Sequence, residues 1–578
     1  MYSVLRGLRE ADRAPPTERT SVPYVITQNC CKDASCVPVC PVDCIRPTSS
    51  TGEFADTQML YIDPQECIDC GACLEECPVD AIHFDEDLPP ELERFREINA
   101  AYFERHPLEP STLIEPVRPD RVQPGSLRVA IVGAGPAACY AATALVGIDG
   151  VEVDLFERLP TPFGLIRAGV APDHQHTKSV VRVFEHVLGN KRVGCHLNVE
   201  IGTDLTHDDL LAHHHAVIYA VGASRSRDLG IPGEDLPGNH SAVDFVGWYN
   251  GHPDHAHHTF DLSGERAVIV GNGNVALDVA RVLLLDHDVL AQTDIADHAL
   301  NALYNSNIRE VVILGRRGPR DAAFSAAEFM ALGHLPRVDV VIDGAELAAS
   351  AADDIDTELK LQVAREYADR PTSPGNKRIV FRFLASPAEV TGHEAADGLR
   401  IVSNRIDEAG QLVVGDPADG TELIDTPLIL RSIGYQGSAI DDLPFTPTTG
   451  TIPNDRGRVI DETGQPVPGT YVTGWIKRGP RGVIGTNRTC AEETVAGLVE
   501  DFTSGRLTRT VGDRAALSGL LAERGANAID WSGWRAVDAA ERRHGRERSR
   551  PRVKIVDTAE LVAAATAPTD SVGATRFG

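Results

Sequence analysis

The stretch Arg128-Val-Ala-Ile-Val-Gly133-Ala-Gly135-Pro-Ala-Ala138 decides the fold of most of this chain. Its apolar run predicts a buried parallel strand that ends in a tight turn at Gly133. Gly135 lets the backbone approach a pyrophosphate, and Ala138 lets the following helix pack closely on the strand. The pattern predicts a dinucleotide site in which the pyrophosphate lies at the positive N-terminus of that helix.

A second strand, Val151-Glu-Val-Asp-Leu-Phe-Glu157, supports this prediction. It ends in an acid roughly 20 residues beyond the glycines, where a carboxylate accepts hydrogen bonds from ribose hydroxyls. The predicted contacts of this first dinucleotide site are Gly133, Gly135, Ala137, Ala138 and Glu157.

A second strand–glycine–helix unit begins at Gly271 and Gly273. After an inserted helix and loop over 286–307, a strand ends at Gly315 and is followed by Arg316 and Arg317. Two arginines form charge-assisted hydrogen bonds to a 2′-phosphate, which an acid at this place would repel. The second site is therefore predicted to bind NADP(H) rather than NAD(H).

The cysteines are concentrated near the N-terminus, where nine of the 12 lie between Cys30 and Cys77. The run Cys67-Ile-Asp-Cys70-Gly-Ala-Cys73-Leu-Glu-Glu-Cys77-Pro78 has the C-x2-C-x2-C-x3-C-P spacing of a two-cluster ferredoxin, in which the fourth cysteine reaches the other cluster. By the same rule, Cys40 joins the first three cysteines of that run. The predicted ligands of one [4Fe–4S] cluster are Cys40, Cys67, Cys70 and Cys73.

The other cluster has a less regular sequence. Cys36 and Cys77 are predicted ligands, together with Cys30, Cys31 or both. Because the C-x2-C-x2-C start is missing, this second cluster is either [3Fe–4S] or [4Fe–4S]. Cys44 is expected to be a free buried thiol.

These motifs predict a multidomain chain: an α+β two-cluster ferredoxin fold followed by two α/β Rossmann-like nucleotide-binding domains, the first interrupted by the second. The ferredoxin domain with two Fe–S clusters is predicted over 22–84, and a Pro-rich linker over 85–126, with a short helix possible over 91–103. The FAD-binding domain is predicted over 127–234 and 426–504, and the NADP-binding domain over 235–425. Residues 505–578 are predicted to form a C-terminal extension that packs on the core or trails from it.

The amino-acid composition limits which binding partners and which cellular location are expected. The formal net charge is -29 and the pI about 5.1, which argues against nucleic acid as a partner because phosphate binding needs clustered lysine and arginine. No stretch approaches the roughly 20 apolar residues of a membrane helix. Met1–Arg13 lacks the apolar core of a secretory signal. The expectation is a cytoplasmic protein with no membrane partner.

The cysteine region resembles seven-iron and eight-iron bacterial ferredoxins. From Leu127 to Phe502 the chain resembles the adrenodoxin-reductase type of ferredoxin–NADP reductase, and the whole chain resembles the fused ferredoxin/ferredoxin–NADP reductases. The resemblance to the reductase rests on 132–138, Leu159-Pro-Thr-Pro-Phe-Gly-Leu-Ile-Arg-Ala-Gly-Val-Ala-Pro-Asp-His174, Ile231-Pro-Gly-Glu-Asp-Leu-Pro-Gly238, 271–281, Gly315-Arg-Arg-Gly-Pro319 and Gly474-Trp-Ile-Lys-Arg-Gly-Pro-Arg-Gly-Val-Ile-Gly-Thr-Asn487.

This resemblance implies further cofactor contacts. For FAD they are Glu157, Leu165, Ile201, Trp475, Gly482, Val483 and Ile484. For NADP they are Asn274, Val275, Arg316, Arg317, Glu328 and Gly482. His174 is implied to lie near the flavin, and Asp278 to join it through water. Hydride transfer needs no proton donor, so both are taken as tuning residues.

Together these features predict reversible electron transfer. NADPH gives up two electrons as hydride whereas a cluster takes one, and a flavin between them can do both. The external acceptor would be a ferredoxin or a cytochrome P450 system. The alternatives are a reductase module that feeds a separate catalytic subunit, as in the small subunit of glutamate synthase, and a non-enzymatic Fe–S protein.

Two other interpretations are set aside. A flavin disulfide reductase needs a redox cysteine pair near the flavin, and Cys139, Cys195 and Cys490 are isolated. The histidine runs 213–215 and 252–258 are predicted to be solvated loops rather than metal sites.

Overall fold

The computed structural model describes residues 24–48, 52–54, 57–108, 121–343, 347–350 and 353–567. The expectation for Met1–Arg13 lies outside the described residues. The chain divides into two compact units, residues 1–115 and 116–578. Within the described ranges, no helix is both long and apolar enough to cross a membrane.

The first unit is a small α+β fold that holds the cysteine region. Its elements are β1 (Tyr24–Ile26), β2 (Ile45–Arg46), β3 (Tyr61–Ile62), α1 (Ala72–Glu76), β4 (Ile82–Phe84) and α2 (Phe95–Arg105). Strand β1 pairs antiparallel with β4, and β2 pairs antiparallel with β3. Strand β1 lies before the C-x2-C-x2-C run and β4 lies after it, whereas β2 and β3 both lie before it. The two strand pairs therefore bring the cysteines between these strands close together.

Helix α2 belongs to this first unit, so the predicted linker over 85–126 begins too early. The buried Asn99 side chain accepts a hydrogen bond from Ile62 N at 2.9 Å and donates one to Ile26 O at 2.9 Å. The Tyr102 ring stacks on Tyr61 at 4.3 Å. Proline content alone did not reveal these contacts. Residues 109–120 of the predicted linker lie outside the described residues.

The second unit contains twenty strands in the described residues. They are β5 (Arg128–Val132), β6 (Glu152–Glu157), β7 (Val193–Leu197), β8 (Ala216–Tyr219), β9 (Arg225–Ser226), β10 (Asn239–Ser241), β11 (Arg266–Val270), β12 (Glu310–Gly315), β13 (Val338–Asp343), β14 (Lys377–Phe383), β15 (Ala385–Gly392), β16 (Ala396–Ser403), β17 (Arg405–Ile406), β18 (Leu412–Val413), β19 (Glu422–Asp425), β20 (Leu428–Arg431), β21 (Tyr435–Gln436), β22 (Asn454–Asp455), β23 (Arg458–Ile460) and β24 (Pro466–Val472).

The same unit contains sixteen α-helices in the described residues. They are α3 (Pro136–Val146), α4 (Leu165–Ala168), α5 (Gln175–Lys178), α6 (Val181–Leu188), α7 (His207–His213), α8 (Ala242–Asn250), α9 (Asn274–Leu284), α10 (His287–Leu290), α11 (Asp297–Tyr304), α12 (Ala326–Ala331), α13 (Ile355–Asp369), α14 (Trp475–Arg478), α15 (Thr486–Thr503), α16 (Arg514–Glu523), α17 (Trp531–Glu547) and α18 (Thr558–Thr566). Helices α10 and α11 form the insertion predicted over 286–307.

Two sheets form the core of this unit. The first has the order β22-β23-β24-β8-β5-β6-β7, with β24, β8, β5, β6 and β7 parallel. The second is fully parallel, in the order β10-β20-β11-β12-β14-β13. The three apolar runs that end in glycine turns become β5, β11 and β12, as predicted. Their side chains are almost all buried because both faces of a parallel sheet are covered.

A second predicted boundary is also wrong. Strand β20 pairs with β10 and β11 in the second sheet, although the sequence analysis assigned residues from 426 onward to the first domain. The chain then forms a separate two-stranded sheet, in which β21 pairs antiparallel with β9, and returns to the first sheet at β22, β23 and β24. An isolated four-residue apolar strand gives no sequence signal of which sheet it joins.

The C-terminal segment packs on the first sheet. Leu517 and Leu521 of α16 lie in one buried cluster with Ala130 and Val217 of the sheet. Ile529 forms a bridge with Leu197, at the end of β7. Of the two alternatives stated for residues 505–578, packing applies up to residue 567, and the remainder lies outside the described residues.

The first histidine run is not a solvated loop, contrary to the prediction. His214 is fully buried, and its Nε2 lies 3.2 Å from Asp154 Oδ2. Asp154 also faces His196 and Arg128. Burial alone would raise the pKa of Asp154, but hydrogen bonds from His196 and His214 hold it well below its usual range. The run therefore belongs to a buried ionic network of the first sheet.

A second buried ionic contact ties α17 to the segment around α4. Glu541 is 0% exposed, and its two oxygens accept hydrogen bonds from both Nη atoms of Arg167 at 2.9 and 2.6 Å. Arg552 and the backbone N–H of Ile555 also donate to Glu541. Burial raises the pKa of this carboxyl, but Arg167 outweighs burial and holds it below its usual value.

We expect Glu541→Gln to lower the free energy of unfolding by roughly 1–3 kcal/mol, because the amide keeps the size but loses the charge that Arg167 and Arg552 face. The folded pKa is depressed, so the stabilisation is present above the unfolded value of about 4.3 and is lost as pH falls through the folded pKa. Denaturant unfolding should therefore show a flatter pH dependence below about pH 4.3 in the variant. Glu547→Gln, at an exposed position of the same helix, is the control. Equal effects of the two changes would contradict the prediction.

Candidate functional site

The first glycine turn follows β5 and leads into α3. Gly133 has φ +104°, and a Cβ there would lie 2.6 Å from Ala220 O, so only glycine fits. At Gly135 a Cβ would meet nothing within 4 Å, which leaves open space in front of the helix N-terminus. Ala137 and Ala138 form the first turn of α3 and are buried against the sheet. This is the cradle that a pyrophosphate requires.

Glu157 stands beside this turn at the end of β6. Its Oε2 accepts a hydrogen bond from Ala134 N at 2.9 Å, and its Oε1 accepts one from Leu159 N at 3.0 Å. Burial raises the pKa of this carboxyl above its usual value. The carboxylate is thus fixed at the carboxyl edge of the sheet, where a ribose would lie.

Other predicted FAD contacts converge on the same edge. The 163–168 segment reaches the turn because Phe163 N donates to Ala134 O at 2.8 Å and a Cβ at Gly164 would lie 3.0 Å from Gly135 Cα. Leu165 on that segment leaves 42% of its surface exposed. Across the turn, a Cβ at Gly474, the residue before α14, would lie 2.5 Å from Ala137 Cβ.

Trp475 opens α14, and its indole Nε1 is buried without a hydrogen-bond partner among the described residues. Gly482, Val483 and Ile484 follow, with Val483 N donating to Thr486 Oγ1 at 3.2 Å. Ile201 is half-buried against the core of the first sheet. A buried indole N–H that no protein group satisfies, beside an open glycine turn, fits a large ligand with polar edges such as FAD.

The second glycine turn repeats this design at β11. Gly271 has φ +109°, and a Cβ there would lie 2.2 Å from Ser432 O. Gly273 precedes α9, which begins with Asn274, and the half-buried Val275 packs on the sheet core. Asn274 Oδ1 accepts a hydrogen bond from Ser325 N at 2.8 Å.

Arg316 and Arg317 follow β12 directly and stand at the same edge of the second sheet. Arg316 is exposed, and among the described residues no ion pair holds it. Arg317 lies 3.6 Å from Asp321 and donates to Gly410 O at 3.5 Å. The Arg316 guanidinium is thus free to bind a phosphate, and the Arg317 guanidinium is held only by these two long contacts.

Between the two sheets, Arg281 of α9 gathers the predicted tuning residues. It is 4% exposed, and its Nε and Nη2 bond to Asp173 Oδ2 at 2.6 Å and Asp278 Oδ1 at 2.7 Å. Its Nη2 also lies 2.7 Å from His174 Nε2, and its Nη1 3.7 Å from Glu328 Oε2. His174 and Asp278 are therefore joined through Arg281.

His174 lies between the guanidinium and a carboxylate. Its Nε2 faces Arg281 Nη2, and its Nδ1 faces Asp278 Oδ1 at 3.9 Å. Burial raises the pKa of Glu328, whereas Arg281 outweighs burial at Asp173 and lowers the pKa of that carboxyl.

Sequence reasoning missed Arg281. Arg281 is the last residue of the 271–281 stretch and lies three positions after Asp278. It lies on the face of α9 that also carries the buried Leu277 and Ala280. An arginine on an apolar helix face needs carboxylate partners. That signal was available, although the identity of the partners was not.

The cysteines line two cavities of the first unit. Cys40, Cys44, Cys67, Cys70 and Cys73 line one cavity, together with the apolar Ile45 and Ile62. Cys30, Cys31, Cys36 and Cys77 line the other. All twelve cysteines, which lie within the described residues, carry free thiols. Cavities lined by several converging thiols fit iron–sulfur clusters.

Cys44 is buried, as predicted, but it is not isolated. Its Sγ lies 3.4 Å from Cys40 Sγ. A hydrogen bond between the two thiols lowers the pKa of Cys40 and raises that of Cys44.

In the second cavity, burial raises the pKa of Cys30 to about 11 and that of Cys31 and Cys36 well above the usual value. Backbone N–H groups approach two of these sulfurs, with Leu60 N donating to Cys30 Sγ at 3.5 Å and Ala81 N to Cys77 Sγ at 3.3 Å. Bonds of this kind stabilise thiolates that hold a cluster.

Family models match both parts of the chain. Residues 127–314 match the pyridine nucleotide-disulphide oxidoreductase family, and residues 60–83 match the 4Fe-4S binding domain. The first range contains both glycine turns. The second contains the C-x2-C-x2-C-x3-C-P run.

Individual relatives agree with this division. The chain is 46% identical over 452 residues to the NADPH-ferredoxin reductase FprA of Mycobacterium tuberculosis, covering 75% of this chain and 98% of that one. A structure of that FprA in complex with NADPH superposes with a TM-score of 0.73 at 44% identity, over 77% of this chain and 100% of that one.

A longer relative includes the cysteine region. The probable ferredoxin/ferredoxin–NADP reductase of M. tuberculosis is 49% identical over 562 residues, which cover 94% of this chain and 95% of the relative. The same protein from M. leprae is 46% identical over 558 residues, covering 94% and 98%. With both the ferredoxin and the reductase regions matched at this identity, the chain belongs to the ferredoxin/ferredoxin–NADP reductase family of flavin-dependent oxidoreductases.

Proposed function

We propose that this chain is a ferredoxin–NADP reductase that transfers electrons reversibly between NADPH and an external one-electron acceptor through its own clusters. One observation carries the proposal: a single chain combines two sheets, each with a glycine turn that tolerates no side chain, with two thiol-lined cavities. Bound FAD accepts a hydride and releases single electrons, which bound clusters pass on. The names of the relatives support ferredoxin as the acceptor.

The first sheet would hold FAD and the second NADP(H). The FAD domain comprises 127–234 and the chain after β21 up to residue 504, and it is interrupted by the NADP domain. Glu157 would form hydrogen bonds with the ribose of FAD, and the N-terminus of α3 would bind the pyrophosphate. Trp475 Nε1 would donate a hydrogen bond to a polar edge of the ligand. Leu165, Ile201 and the backbone of 482–484 would complete the contact.

On the NADP side, Arg316 and Arg317 would bind the 2′-phosphate. Asn274, Val275 and the N-terminus of α9 would position the pyrophosphate. Glu328, with its raised pKa, would lie at the nicotinamide end with Gly482.

Arg281 acts here as a positioning residue. Its Nη2 contacts both His174 Nε2 and Asp278 Oδ1 and so fixes the two side chains beside each other. The network would therefore present an oriented imidazole and an oriented carboxylate to the reacting rings, and hydride transfer needs no proton from it. His174 and Asp278 tune the site through this orientation.

For the clusters, Cys40, Cys67, Cys70 and Cys73 would hold [4Fe–4S]. In the second cavity we assign Cys30, Cys36 and Cys77 as ligands of a [3Fe–4S] cluster. Cys30, Cys36 and Cys77 line this cavity together with Cys31, and backbone N–H groups donate to the sulfurs of Cys30 and Cys77. Three cysteines supply the three ligands of a [3Fe–4S] cluster.

The assignment of the second cluster predicts that Cys30→Ser removes the EPR signal of the oxidised protein while the matched Cys31→Ser retains it, because only the first change removes a ligand. Iron content should fall in the first variant and stay unchanged in the second. A signal lost in Cys31→Ser and kept in Cys30→Ser would reverse the assignment.

The function itself is tested by anaerobic titration of the holoenzyme with NADPH, followed by optical and EPR spectra. Flavin bleaching and then a reduced-cluster EPR signal are expected. Bleaching without any cluster signal at low potential would contradict internal transfer. No bleaching at all would contradict the enzyme and favour a non-enzymatic Fe–S protein.

A further inference from the structure

The second histidine run forms a folded loop that the proposed electron transfer does not use. Helix α8 ends at Gly251, which has φ +70°, and the chain then turns back so that His252 N donates to Gly247 O at 2.8 Å. Two further turns follow, with His255 N donating to His252 O and His258 N to His255 O. The predicted solvated loop instead lies against α8.

Three metal-ligating side chains meet at this place. The ligand atoms of Asp244, His255 and His258 all lie within 4.8 Å of one another. Asp244 Oδ1 and His255 Nδ1 are 3.3 Å apart. Zinc–ligand bonds of about 2.0–2.1 Å in a tetrahedron separate two ligand atoms by about 3.4 Å, so this pair already has the spacing of two zinc ligands.

His255 Nδ1 is also the unsatisfied atom of the group. It is buried and has no hydrogen-bond partner of acceptable geometry among the described residues, although the Asp244 carboxylate is close. A cation between the ring nitrogen and the carboxylate would give both atoms a partner.

The loop is held in this form before any ligand arrives. A Cβ at Gly247 would lie 2.4 Å from His255 Cδ2, so the imidazole rests on bare helix backbone. Asp254 forms an ion pair with Arg158 at 2.6 Å. At the far end of the loop, Phe260 packs on Phe245 with ring centroids 4.9 Å apart. Binding would therefore order few new groups.

The ligand types suit a cation of the zinc class. Imidazole nitrogen and carboxylate oxygen are both zinc ligands. Neutral imidazole and ionised carboxylate are the forms that bind metals.

We propose that Asp244, His255 and His258 form a binding site for a divalent transition-metal ion of the zinc class. The side chains of Asp244 and His255 are 31% and 22% exposed, so water can occupy the remaining coordination position. The set His174, Asp278 and Glu328 is equally compact but does not qualify, because the Arg281 guanidinium already occupies its centre.

Calorimetric titration of the holoenzyme with zinc chloride tests this site. We expect saturable binding that weakens by at least about tenfold in His255→Gln and in His258→Gln, since loss of even a supporting residue costs a metal site 10–100-fold. His257→Gln changes a neighbouring histidine outside the set and should bind like wild type. Unchanged flavin absorbance and melting temperature without zinc would show that the variants are folded.

The position of the ion gives a second, independent readout. Crystals of the holoenzyme soaked in zinc chloride should show an anomalous peak between Asp244, His255 and His258. A peak only at other residues would overturn the proposal. So would equal zinc affinity of wild type and both ligand variants, or the absence of saturable binding.

Discussion

Replacing Cys73 by serine is expected to remove the [4Fe–4S] cluster and to abolish electron transfer to an external acceptor. Cys73 lies in α1, is 7% exposed and lines the cavity shared with Cys40, Cys67 and Cys70. Serine has nearly the same shape but offers no soft thiolate to iron. The second unit contains the proposed FAD and NADP contacts, so flavin reduction by NADPH should continue.

Two activities measured on the same preparation check this result. Reduction of ferredoxin should disappear, whereas reduction of ferricyanide, which takes electrons directly from flavins, should stay close to wild type. Cys44→Ser is the matched control because Cys44 lines the same cavity without being an assigned ligand. Ferredoxin reduction that survives in Cys73→Ser would mean that electrons bypass this cluster.

The largest effect on coenzyme selectivity is expected from the double variant Arg316→Ala/Arg317→Ala. A hydrogen bond to a charged group contributes about 1.5–3 kcal/mol, or roughly 10- to 150-fold in binding per arginine. Because Arg317 is partly engaged by Asp321, the combined loss in kcat/KM for NADPH should be roughly 10²–10³-fold. NADH lacks the 2′-phosphate, so its kcat/KM should change little.

Steady-state kinetics with both coenzymes measure this selectivity. Arg320→Ala provides the control, because Arg320 lies on the same segment but forms an ion pair with Asp353. Equal losses with NADPH and NADH would contradict a phosphate-binding role and would point to damage of the second glycine turn.

Features set by neighbouring residues could be predicted from the sequence. Strands β5, β11 and β12 and their glycine turns follow from apolar runs and backbone sterics, which are local. The division of the cysteines between two cavities follows from their spacing. By contrast, Arg281 draws Asp173 from a segment more than 100 positions away. Glu541 and Arg167 are 374 positions apart.

The histidine runs show the same limit more sharply. The polar composition predicted a solvated loop for both runs. In the structure, His214 is buried beside Asp154, and the ring of His255 packs on the backbone at Gly247. Neither partner adjoins its histidine in sequence. Burial of a polar residue depends on a distant counter-group, and a single sequence does not identify that group.

The pairing of β24 with β8 has a consequence for how the protein is made. Strand β8 is fully buried, and its partner is completed only at residue 472, after the whole second sheet has been synthesised. During synthesis, the second sheet can therefore fold first, while the incomplete first sheet still has an unpaired apolar edge at β8. Such an edge is an aggregation hazard. Nascent chains that stop short of residue 466 should be preferred chaperone clients, and release from chaperones should follow synthesis of β24.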